Sequence, residues 1–294
     1  MMSKILKPII GLVVLLVFIH SLAAQVVDNH KFISANIRVD LPRDTVSGNG
    51  WESRKDIVFE VLGNELPDII CFQEVLKNQQ VDLENYFSQY DAFGFYGPEM
   101  DNHNNGYYGI AKNPIFYLRD RYELVGAGTY WLSDKPHLGG SKSWGTARAR
   151  HVNWVRLKDK NSGKEFRVVN THLDHISQLA RDHQITMIME ECSQYKDDFT
   201  QILTGDFNQD AKSIGIKTIK RYGWEDSYES VNGLMDAGYT VHGFKGAGLD
   251  KKSGKVDFVF FKGEGSVKSA SVIKKEKNGK YPSDHFFVSA ELEF

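Results

Sequence analysis

The chain has 294 residues, of which 41% are hydrophobic and 25% are charged, and its formal net charge is −2 at pH 7. This composition is that of an ordinary globular protein with enough length for a large core. A chain without excess positive charge argues against a non-specific binder of long nucleic acids, which is usually basic.

The N-terminal segment differs from the rest. Two lysines precede an uninterrupted apolar run (9–19), and small residues follow at Ala23 and Ala24. This order is typical of a secretory signal peptide, and the run is shorter than the ~20 residues that span a bilayer. We therefore expect a cleaved signal peptide (1–24) and one exported domain (25–294), periplasmic or secreted; a retained membrane anchor is the alternative. Cleavage leaves 34 basic and 38 acidic residues, a net charge of about −4.

Strands and helices are interspersed along the remaining chain. The predicted elements are, in order, a strand (31–39), a helix (51–66), a buried strand (68–74), two strands joined by a polar turn (113–132), a hairpin turning at 161–163 (151–175), a helix (177–195), a strand (202–205), a short helix (211–221) and two final strands (255–261, 285–292). Because strands outnumber helices, we predict an α/β fold with two stacked sheets in the core and helices outside.

The two cysteines lie in apolar surroundings. Cys71 is in the predicted buried strand, and Cys192 is on the apolar face of a predicted helix. Both are expected to be small buried side chains, and a disulfide between them is the alternative in an exported protein.

Polar groups that can perform chemistry recur where the predicted strands begin or end. They are Asn36, Glu74, His172, Asp206, Asn208, Asp257, Asp284 and His285. Each has a structural explanation when taken alone, such as a turn-forming asparagine or a hydrogen-bonded core histidine. Asp257 is the hardest to explain in this way, because a carboxylate on so apolar a strand needs a partner, which His285 would supply. Together, six strand-linked segments of this kind favour a functional site.

The residue types in this set suit attack on phosphorus. Carboxylate oxygens such as that of Glu74 are hard ligands for Mg²⁺ or Mn²⁺. Imidazoles can stabilise charge on phosphoryl oxygens, and a carboxylate beside an amide can hold and deprotonate a water molecule. The sequence has no His/Cys cluster of the zinc type and no Gly-rich nucleotide loop with Walker spacing.

The ordered motifs resemble the endonuclease/exonuclease/phosphatase superfamily. They are "SANIR" with Asn36, "FQE" with Glu74, "NTHLDH" with His172, "TGDFN" with Asp206 and Asn208, "KVDFVF" with Asp257, and "PSDHF" with Asp284 and His285. "SKSWGTARARHVNWVRL", with Arg150 four residues before Trp154, is similar to a bacterial exported subgroup related to the deadenylase branch. The resemblance implies a four-layer α/β/β/α sandwich with two stacked, mainly antiparallel sheets, and Mg²⁺-dependent phosphoester hydrolysis.

The resemblance also implies roles for the metal and water ligands. Glu74 would be the principal metal ligand, with help from Asn36, and Asp284 would support the metal or the water. Asp206 would orient and deprotonate the attacking water, and Asn208 would hold that water or a phosphoryl oxygen.

Further roles concern the phosphoryl group. His172 and His285 would contact it, and Asp257 would orient His285. Whether the base is Asp206 or the His285–Asp257 pair is left open. Arg150 is a candidate phosphate clamp, because its planar fork suits bidentate contact, and a strand-surface arginine is the alternative.

Three positions depart from the family pattern. Lys255 stands where an arginine is usual, His242 where an amide is expected, and Phe287 where a proline often follows the final motif. These departures affect the expected substrate contacts and leave the core set intact.

The predicted function is an exported Mg²⁺- or Mn²⁺-dependent phosphoesterase. Its expected substrate is a phosphomonoester or phosphodiester of a small molecule or nucleotide, with nucleic acid left open, no stable membrane partner and a monomeric state. The alternatives are a secreted nuclease acting on DNA or RNA, a phospholipid or sphingomyelin phosphodiesterase, and a silent domain that binds a phosphoryl ligand. The mainly polar loop 98–113 argues against membrane docking, and the basic runs 251–255 and 274–280 could form a local patch for nucleic acid.

Overall fold

The computed structural model describes residues 28–97, 111–233, 238–246 and 254–294. The predicted signal peptide, nearly all of loop 98–113 and most of the basic run 251–255 lie outside these ranges. No helix among the described residues is both long enough and apolar enough to cross a membrane.

The described ranges contain twelve strands and six helices. The strands are β1 (Asn29–Asn36), β2 (Ile69–Gln73), β3 (Tyr90–Phe93), β4 (Ile115–Leu118), β5 (Tyr122–Trp131), β6 (His151–Asp159), β7 (Glu165–His172), β8 (Gln201–Asp206), β9 (Glu225–Asp226), β10 (Asp257–Lys262), β11 (Ser266–Ile273) and β12 (Phe287–Glu293). The helices are α1 (Pro42–Val46), α2 (Trp51–Glu65), α3 (Lys77–Tyr86), α4 (Gln178–Cys192), α5 (Ile214–Arg221) and α6 (Ser227–Asn232).

The strands form two six-stranded sheets of similar design. The first has the order β11-β12-β1-β2-β4-β3, and the second has the order β5-β6-β7-β8-β10-β9. Each sheet has one parallel pair near its centre, β1 with β2 and β7 with β8, and its other neighbours are antiparallel. The prediction of mainly antiparallel sheets is therefore confirmed.

Three apolar layers hold the sheets and helices together. One layer lies between the sheets and includes Phe32, Val168 and Val259. A second joins α2 and α3 to the first sheet, and a third joins α4 and α5 to the second sheet. The layers alternate because successive strand residues point to opposite faces. The result is the predicted α/β/β/α sandwich.

The polar turn between β4 and β5 connects the two sheets. The sequence pattern predicts only two strands joined by this turn (119–121), but β4 belongs to the first sheet and β5 to the second. Strand β11 was not predicted, because most of its side chains are exposed at the edge of the first sheet and give no alternating pattern.

Both cysteines are buried free thiols. Cys71 lies in the layer between the sheets, and Cys192 lies in the layer between α4 and the second sheet. The prediction of small buried side chains is confirmed, and the two thiols are not joined.

The layer between the sheets changes from apolar to polar towards one end of the sandwich. There the Gln73 side-chain amide donates to Oδ1 of Asn170 at 2.8 Å, and the Thr204 hydroxyl donates to the same oxygen at 3.3 Å. All three side chains are fully buried. Buried polar groups are stable only when they bond to each other, so this network forms a polar floor at the end where β1, β2, β7 and β8 finish.

Candidate active site

Strand register brings three of the predicted site residues side by side. In the second sheet His172 pairs with Asp206 across β7 and β8, and Asp206 pairs with Asp257 across β8 and β10. Along its own strand, each of the three residues is an even number of positions from a residue of the layer between the sheets. Because alternate residues of a strand point to the same face, all three side chains point into that layer. The alternation of three neighbouring strands therefore places them above the polar floor.

Gly205 is what allows β7 and β8 to approach closely at this point. A Cβ atom at position 205 would lie 2.2 Å from the backbone oxygen of Thr171, which is far inside van der Waals contact. The glycine of "TGDFN" therefore has a structural reason, because any side chain there would push Asp206 away from His172.

Asp206 is the centre of the cluster and is 1% exposed. One carboxylate oxygen, Oδ2, accepts a hydrogen bond from the Asn36 amide at 3.0 Å and lies 3.3 Å from Nε2 of His172. The other, Oδ1, accepts from the backbone N–H of Asn208 at 2.9 Å. Burial, followed by the charge of Asp257, raises the pKa of Asp206 to about 7.

The predicted pairing of His285 with Asp257 is confirmed. Nδ1 of His285 lies 2.9 Å from Oδ2 of Asp257, and the carboxylate is 1% exposed. Burial alone would lower the pKa of His285, but the attraction of Asp257 overcomes it and holds that pKa well above the ordinary value. His285 is therefore an imidazolium at neutral pH.

His172 has the opposite electrostatic behaviour. Burial, followed by the positive charges of Arg150 and His285, holds the pKa of His172 well below the ordinary value. His172 is therefore a neutral imidazole beside Asp206. The two histidines differ in charge state because burial and nearby positive charges dominate at His172, whereas the attraction of Asp257 dominates at His285.

Three non-glycine residues around the site have left-handed backbone conformations: Arg38 (φ 62°), Glu74 (φ 64°) and Asn208 (φ 50°). Oε2 of Glu74 accepts a hydrogen bond from the backbone N–H of Val39 at 3.0 Å, and Nδ2 of Asn208 donates to the Leu173 carbonyl at 3.0 Å. Such conformations cost about 1–3 kcal/mol each and persist where the surrounding structure enforces them. Here they direct side chains into one cleft.

Arg150 is a buried cleft residue, so the alternative of a strand-surface arginine is wrong. It is 8% exposed, its Nη2 lies 3.2 Å from Nδ1 of His175, and its Nε has no hydrogen-bond partner among the described residues. The loop before it is held by Asp174, whose carboxylate accepts from the backbone N–H of Ala147 at 2.9 Å and from that of Ser177 at 3.2 Å. Sequence reasoning missed this positioning role of Asp174.

Asp284 lies at the edge of the cluster. Its Oδ2 is 3.2 Å from Nη1 of Arg38, so its strongest interaction is an ion pair. The side-chain oxygen of Asn36 accepts from the backbone N–H of Arg38 at 3.0 Å while its amide donates to Asp206. The metal-supporting roles of Asn36 and Asp284 stay predictions.

Two of the departures from the family pattern are built into the structure. Lys255 is 1% exposed and forms an ion pair with Asp226 at 2.9 Å, so a buried lysine stands where an arginine is usual in the family. His242 is fully buried and its ring stacks on Phe286, with centroids 4.0 Å apart. Phe287 begins β12.

The site residues line a cleft of about 290 Å³. Of the predicted set, Glu74, Arg150, His172, Asp206, Asn208 and His285 reach this cleft. Sequence reasoning assigned no role to Arg38, Arg43, Arg148 and His175, which also line it. Two of them could have been found from the sequence, because Arg148 lies two positions before Arg150 and His175 lies three positions after His172.

The donor set fits a divalent metal ion. The carboxylates of Asp257 and Glu74 lie close enough to Asp206 that the charge of each contributes to raising its pKa. Among the described residues, the ion-pair partners of Asp206 and Asp257 are histidines only. Carboxylate oxygens are ligands that Mg²⁺ and Mn²⁺ prefer, and Glu74 and Asp206 are the carboxylates among the described residues that reach the cleft.

Comparisons with known proteins agree with this geometry. The Nocturnin of Drosophila melanogaster is 31% identical over 168 residues, which are 54% of this chain and 24% of that protein, so this chain matches about a quarter of the relative's length. An endonuclease/exonuclease/phosphatase of Bacteroides vulgatus has 30% identity and a TM-score of 0.78, and the match covers 91% of this chain and 99% of that one. The mannosyl-6-phosphatase of Bacteroides thetaiotaomicron has 26% identity and a TM-score of 0.78, with 90% and 100% covered.

The family model described as "Endonuclease/Exonuclease/phosphatase family" matches residues 33–285. This range contains every predicted site residue from Asn36 to His285. The match extends over most of the chain, which therefore belongs to the endonuclease/exonuclease/phosphatase family.

Proposed function

We propose that the protein is a metal-dependent hydrolase that cleaves the phosphoester bond of a small phosphorylated molecule. Members of its family are hydrolases acting on phosphoesters. The observation that carries the proposal is the convergence of Asp206, the His285–Asp257 pair and the buried Arg150 in and around one cleft. These groups are a base, an imidazolium and a phosphate-binding guanidinium.

Asp206 is the better candidate for the base that accepts a proton from the attacking water. A general base works best when its pKa is near the operating pH, and burial brings that of Asp206 to about 7. His285 is already protonated against Asp257 and so is a poor base. Its imidazolium is suited instead to stabilise negative charge on a phosphoryl oxygen.

Arg150 and Glu74 have the two remaining roles, which are phosphate binding and metal binding. The unpartnered Nε of Arg150 is available to a phosphoryl oxygen, and its fixed fork would orient the phosphoryl group. Glu74 would hold the divalent metal ion, with Asn36 and Asp284 in support. When bound, the ion supplies Lewis-acid stabilisation of charge on the phosphoryl oxygens.

Support for a small substrate comes from the size of the cleft and from a structural neighbour. A cleft of about 290 Å³ is at the lower end of the range for small-molecule sites. The neighbour named a mannosyl-6-phosphatase matches nearly the whole described fold at 26% identity. We therefore favour a sugar phosphate or a similar phosphomonoester, with a nucleotide as the second candidate.

A substrate panel with and without metal tests the proposal. Sugar phosphates, mononucleotides, a short oligonucleotide and supercoiled plasmid are assayed with Mg²⁺, with Mn²⁺ and after EDTA treatment. We expect phosphate release from a small phosphoester that EDTA abolishes and Mg²⁺ restores. Full activity in EDTA contradicts metal dependence, and plasmid nicking without activity on small phosphoesters favours a nuclease.

Export is a separate proposal that rests on the order of lysines, apolar run and small residues in the leader. The mature N-terminus is expected at Ala24 or Gln25. Mass spectrometry of the protein isolated from its native host tests this, and an intact Met1 on a cytoplasmic protein contradicts it.

A further inference from the structure

One short segment contacts the backbone on both sides of the His285–Asp257 pair. Within the segment 238–246, the hydroxyl of Thr240 accepts hydrogen bonds from the backbone N–H groups of Val256 (3.0 Å) and Asp257 (3.3 Å). The backbone oxygen of Thr240 accepts from the N–H of Phe286 at 2.8 Å. A single residue therefore bonds to the start of β10, which carries Asp257, and to the neighbour of His285.

The rest of the segment strengthens the second of these connections. Val241 forms an antiparallel bridge with His285, and the backbone N–H groups of His242 (2.9 Å) and Gly243 (3.0 Å) both donate to the Asp284 carbonyl. The ring of His242 packs face to face on Phe286. The loop that carries His285 is thus held by backbone bonds and by a stacked ring.

The hydroxyl of Thr240 is needed at this position for a specific reason. Asp257 is the first residue of β10 and so lies where regular strand pairing starts. The N–H groups of Val256 and Asp257 both bond to the hydroxyl, and Thr240 is fully buried. Without the hydroxyl, two buried N–H groups would lose this acceptor, and a buried N–H group without a hydrogen bond is unfavourable. The backbone at Asp257 would shift to find another acceptor.

We infer that Thr240 is a positioning residue that sets the distance and orientation of Asp257 relative to His285. Its hydroxyl fixes the carboxylate side of the pair, and its carbonyl fixes the imidazole side. This inference rests on the proposed function for its catalytic consequence, but its structural content is independent of the substrate. A displacement of about 1 Å in a catalytic group can reduce the rate by 10²-fold.

The test compares Thr240→Val, which removes the hydroxyl and keeps the branched shape, with Thr240→Ser, which keeps the hydroxyl. The matched control is Thr200→Val, because the buried Thr200 hydroxyl also makes a tertiary bond, to the Glu264 carbonyl at 2.9 Å, but far from the pair. Thr240→Val is expected to lower kcat by roughly 10–100-fold with KM within about twofold. Thr240→Ser should restore kcat to within about threefold of the unmodified protein, and Thr200→Val should leave it unchanged.

Proton NMR of the hydrogen bond between His285 and Asp257 supplies a readout that does not depend on activity. The low-field resonance of the Nδ1 proton, assigned by its loss in Asp257→Asn, should shift or broaden in Thr240→Val and be retained in Thr240→Ser and Thr200→Val. If the unmodified protein hydrolyses no phosphoester, the proposed function fails while this resonance still decides the positioning role.

Thr240→Ala is the second variant if Thr240→Val does not fold, since a water molecule can occupy the vacated space and accept from the two N–H groups. Its kcat should also fall, by less than that of Thr240→Val, and its KM should be unchanged. An unaltered resonance and an unaltered kcat in the folded variant overturn the inference. A loss of kcat in Thr240→Ser as large as that in Thr240→Val also overturns it.

Discussion

The two ends of the sandwich each hold a cluster of carboxylates around a buried histidine, yet they are built in opposite ways. At the end away from the cleft, Arg121 is surrounded by Asp28, Asp68 and Asp159. Its guanidinium donates to all three, at 2.8 Å to Asp68 and 2.9 Å to Asp159. The histidine there, His30, is fully buried, and burial followed by the charge of Arg121 lowers its pKa to about 3.

At the cleft end, no guanidinium occupies the middle of the cluster. Asp206 and Asp257 pair with histidines among the described residues, and Arg150 lies on the cleft wall. The carboxylates of Asp159 and Asp206 also differ in pKa. Burial tends to raise the pKa of Asp159, but the Asn161 amide and Arg121 overcome it and hold that pKa low. The pKa of Asp206 rises to about 7 because burial and the charge of Asp257 outweigh the opposing effects of His285 and of the Asn208 backbone N–H.

The two clusters therefore differ in the partners of their carboxylates. In the far cluster one guanidinium bonds to every carboxylate, so we expect that end to stabilise the fold. In the cleft cluster Asp206 and Asp257 pair with histidines, and Asp206 and Glu74 line an open cleft, so we expect that end to serve function. Mutation and pH test this contrast, and the effects described below decrease in size.

The largest effect is expected from Asp206→Asn. The amide keeps the shape of the carboxylate and removes the base, so kcat should fall by roughly 10²–10⁴-fold. Steady-state kinetics on the best substrate of the panel measures this. Asp159→Asn is the matched control at the far end and should keep kcat. Equal activity of Asp206→Asn and the unmodified protein would remove Asp206 from the mechanism.

Arg121→Met should have the opposite effect to Asp206→Asn, because it should lower stability and leave kcat unchanged. Removing one partner of a buried ion cluster leaves uncompensated charge, and we expect a loss of about 3 kcal/mol, at the lower end of the usual range because the guanidinium is 16% exposed. This corresponds to a fall in Tm of roughly 6–12 °C, measured by calorimetry, with kcat unchanged below the transition.

The control for Arg121→Met is Arg119→Met, since Arg119 pairs with Asp91 on the surface with half of its side chain exposed. Surface ion pairs contribute about 0–1 kcal/mol, so this variant should keep its Tm within about 3 °C. A similar Tm for both variants contradicts a stabilising role of the far cluster.

Arg150→Lys tests whether the cleft guanidinium binds phosphate as a fork. Lysine keeps the charge but loses bidentate geometry, so KM should rise by roughly tenfold, equivalent to about 1.4 kcal/mol. Arg156→Lys is the control, because Arg156 lies within β6, pairs with Glu165 and has a side chain that is 40% exposed. An unchanged KM in Arg150→Lys would show that one positive charge is sufficient.

The smallest effect is the pH dependence of stability in the metal-free protein. Asp206 has a pKa of about 7 in the fold against 3.8 ordinarily, so the folded state binds this proton more tightly than the unfolded state. Its stabilising contribution is therefore lost as pH rises from about 4 to 7. In EDTA, the Tm of Asp206→Asn minus the Tm of the unmodified protein should therefore increase by a few degrees as pH rises across this window.

Asp159→Asn supplies the opposite slope. Because the pKa of Asp159 is held low, its contribution is complete above pH 4 and is lost only as pH falls below that. The Tm deficit of this variant should stay constant from pH 5 to 8. Parallel pH profiles for the two variants would contradict the electrostatic contrast between the two ends.

Local patterns in the sequence were enough to predict the layered fold and the set of polar residues at the strand ends. Helical spacing predicted α2 and α4 to within a few residues of their observed ends, and the hairpin turn at 161–163 joins β6 to β7 as predicted. These features depend on local periodicity, which the sequence carries directly. The set of polar groups at strand ends was also readable, because a carboxylate such as Asp257 in an apolar strand has no local explanation.

How those groups are arranged and charged depends on the packed fold. His172 and His285 are the same residue type in similar strand-end positions, but the pKa of His172 is held low and that of His285 is held high, because only His285 bonds to the Asp257 carboxylate. Contacts between distant segments likewise placed Arg150 in the cleft and connected Thr240 to both members of the pair. Charge state and orientation depend on neighbours far apart in the chain, so only the packed sandwich fixes them.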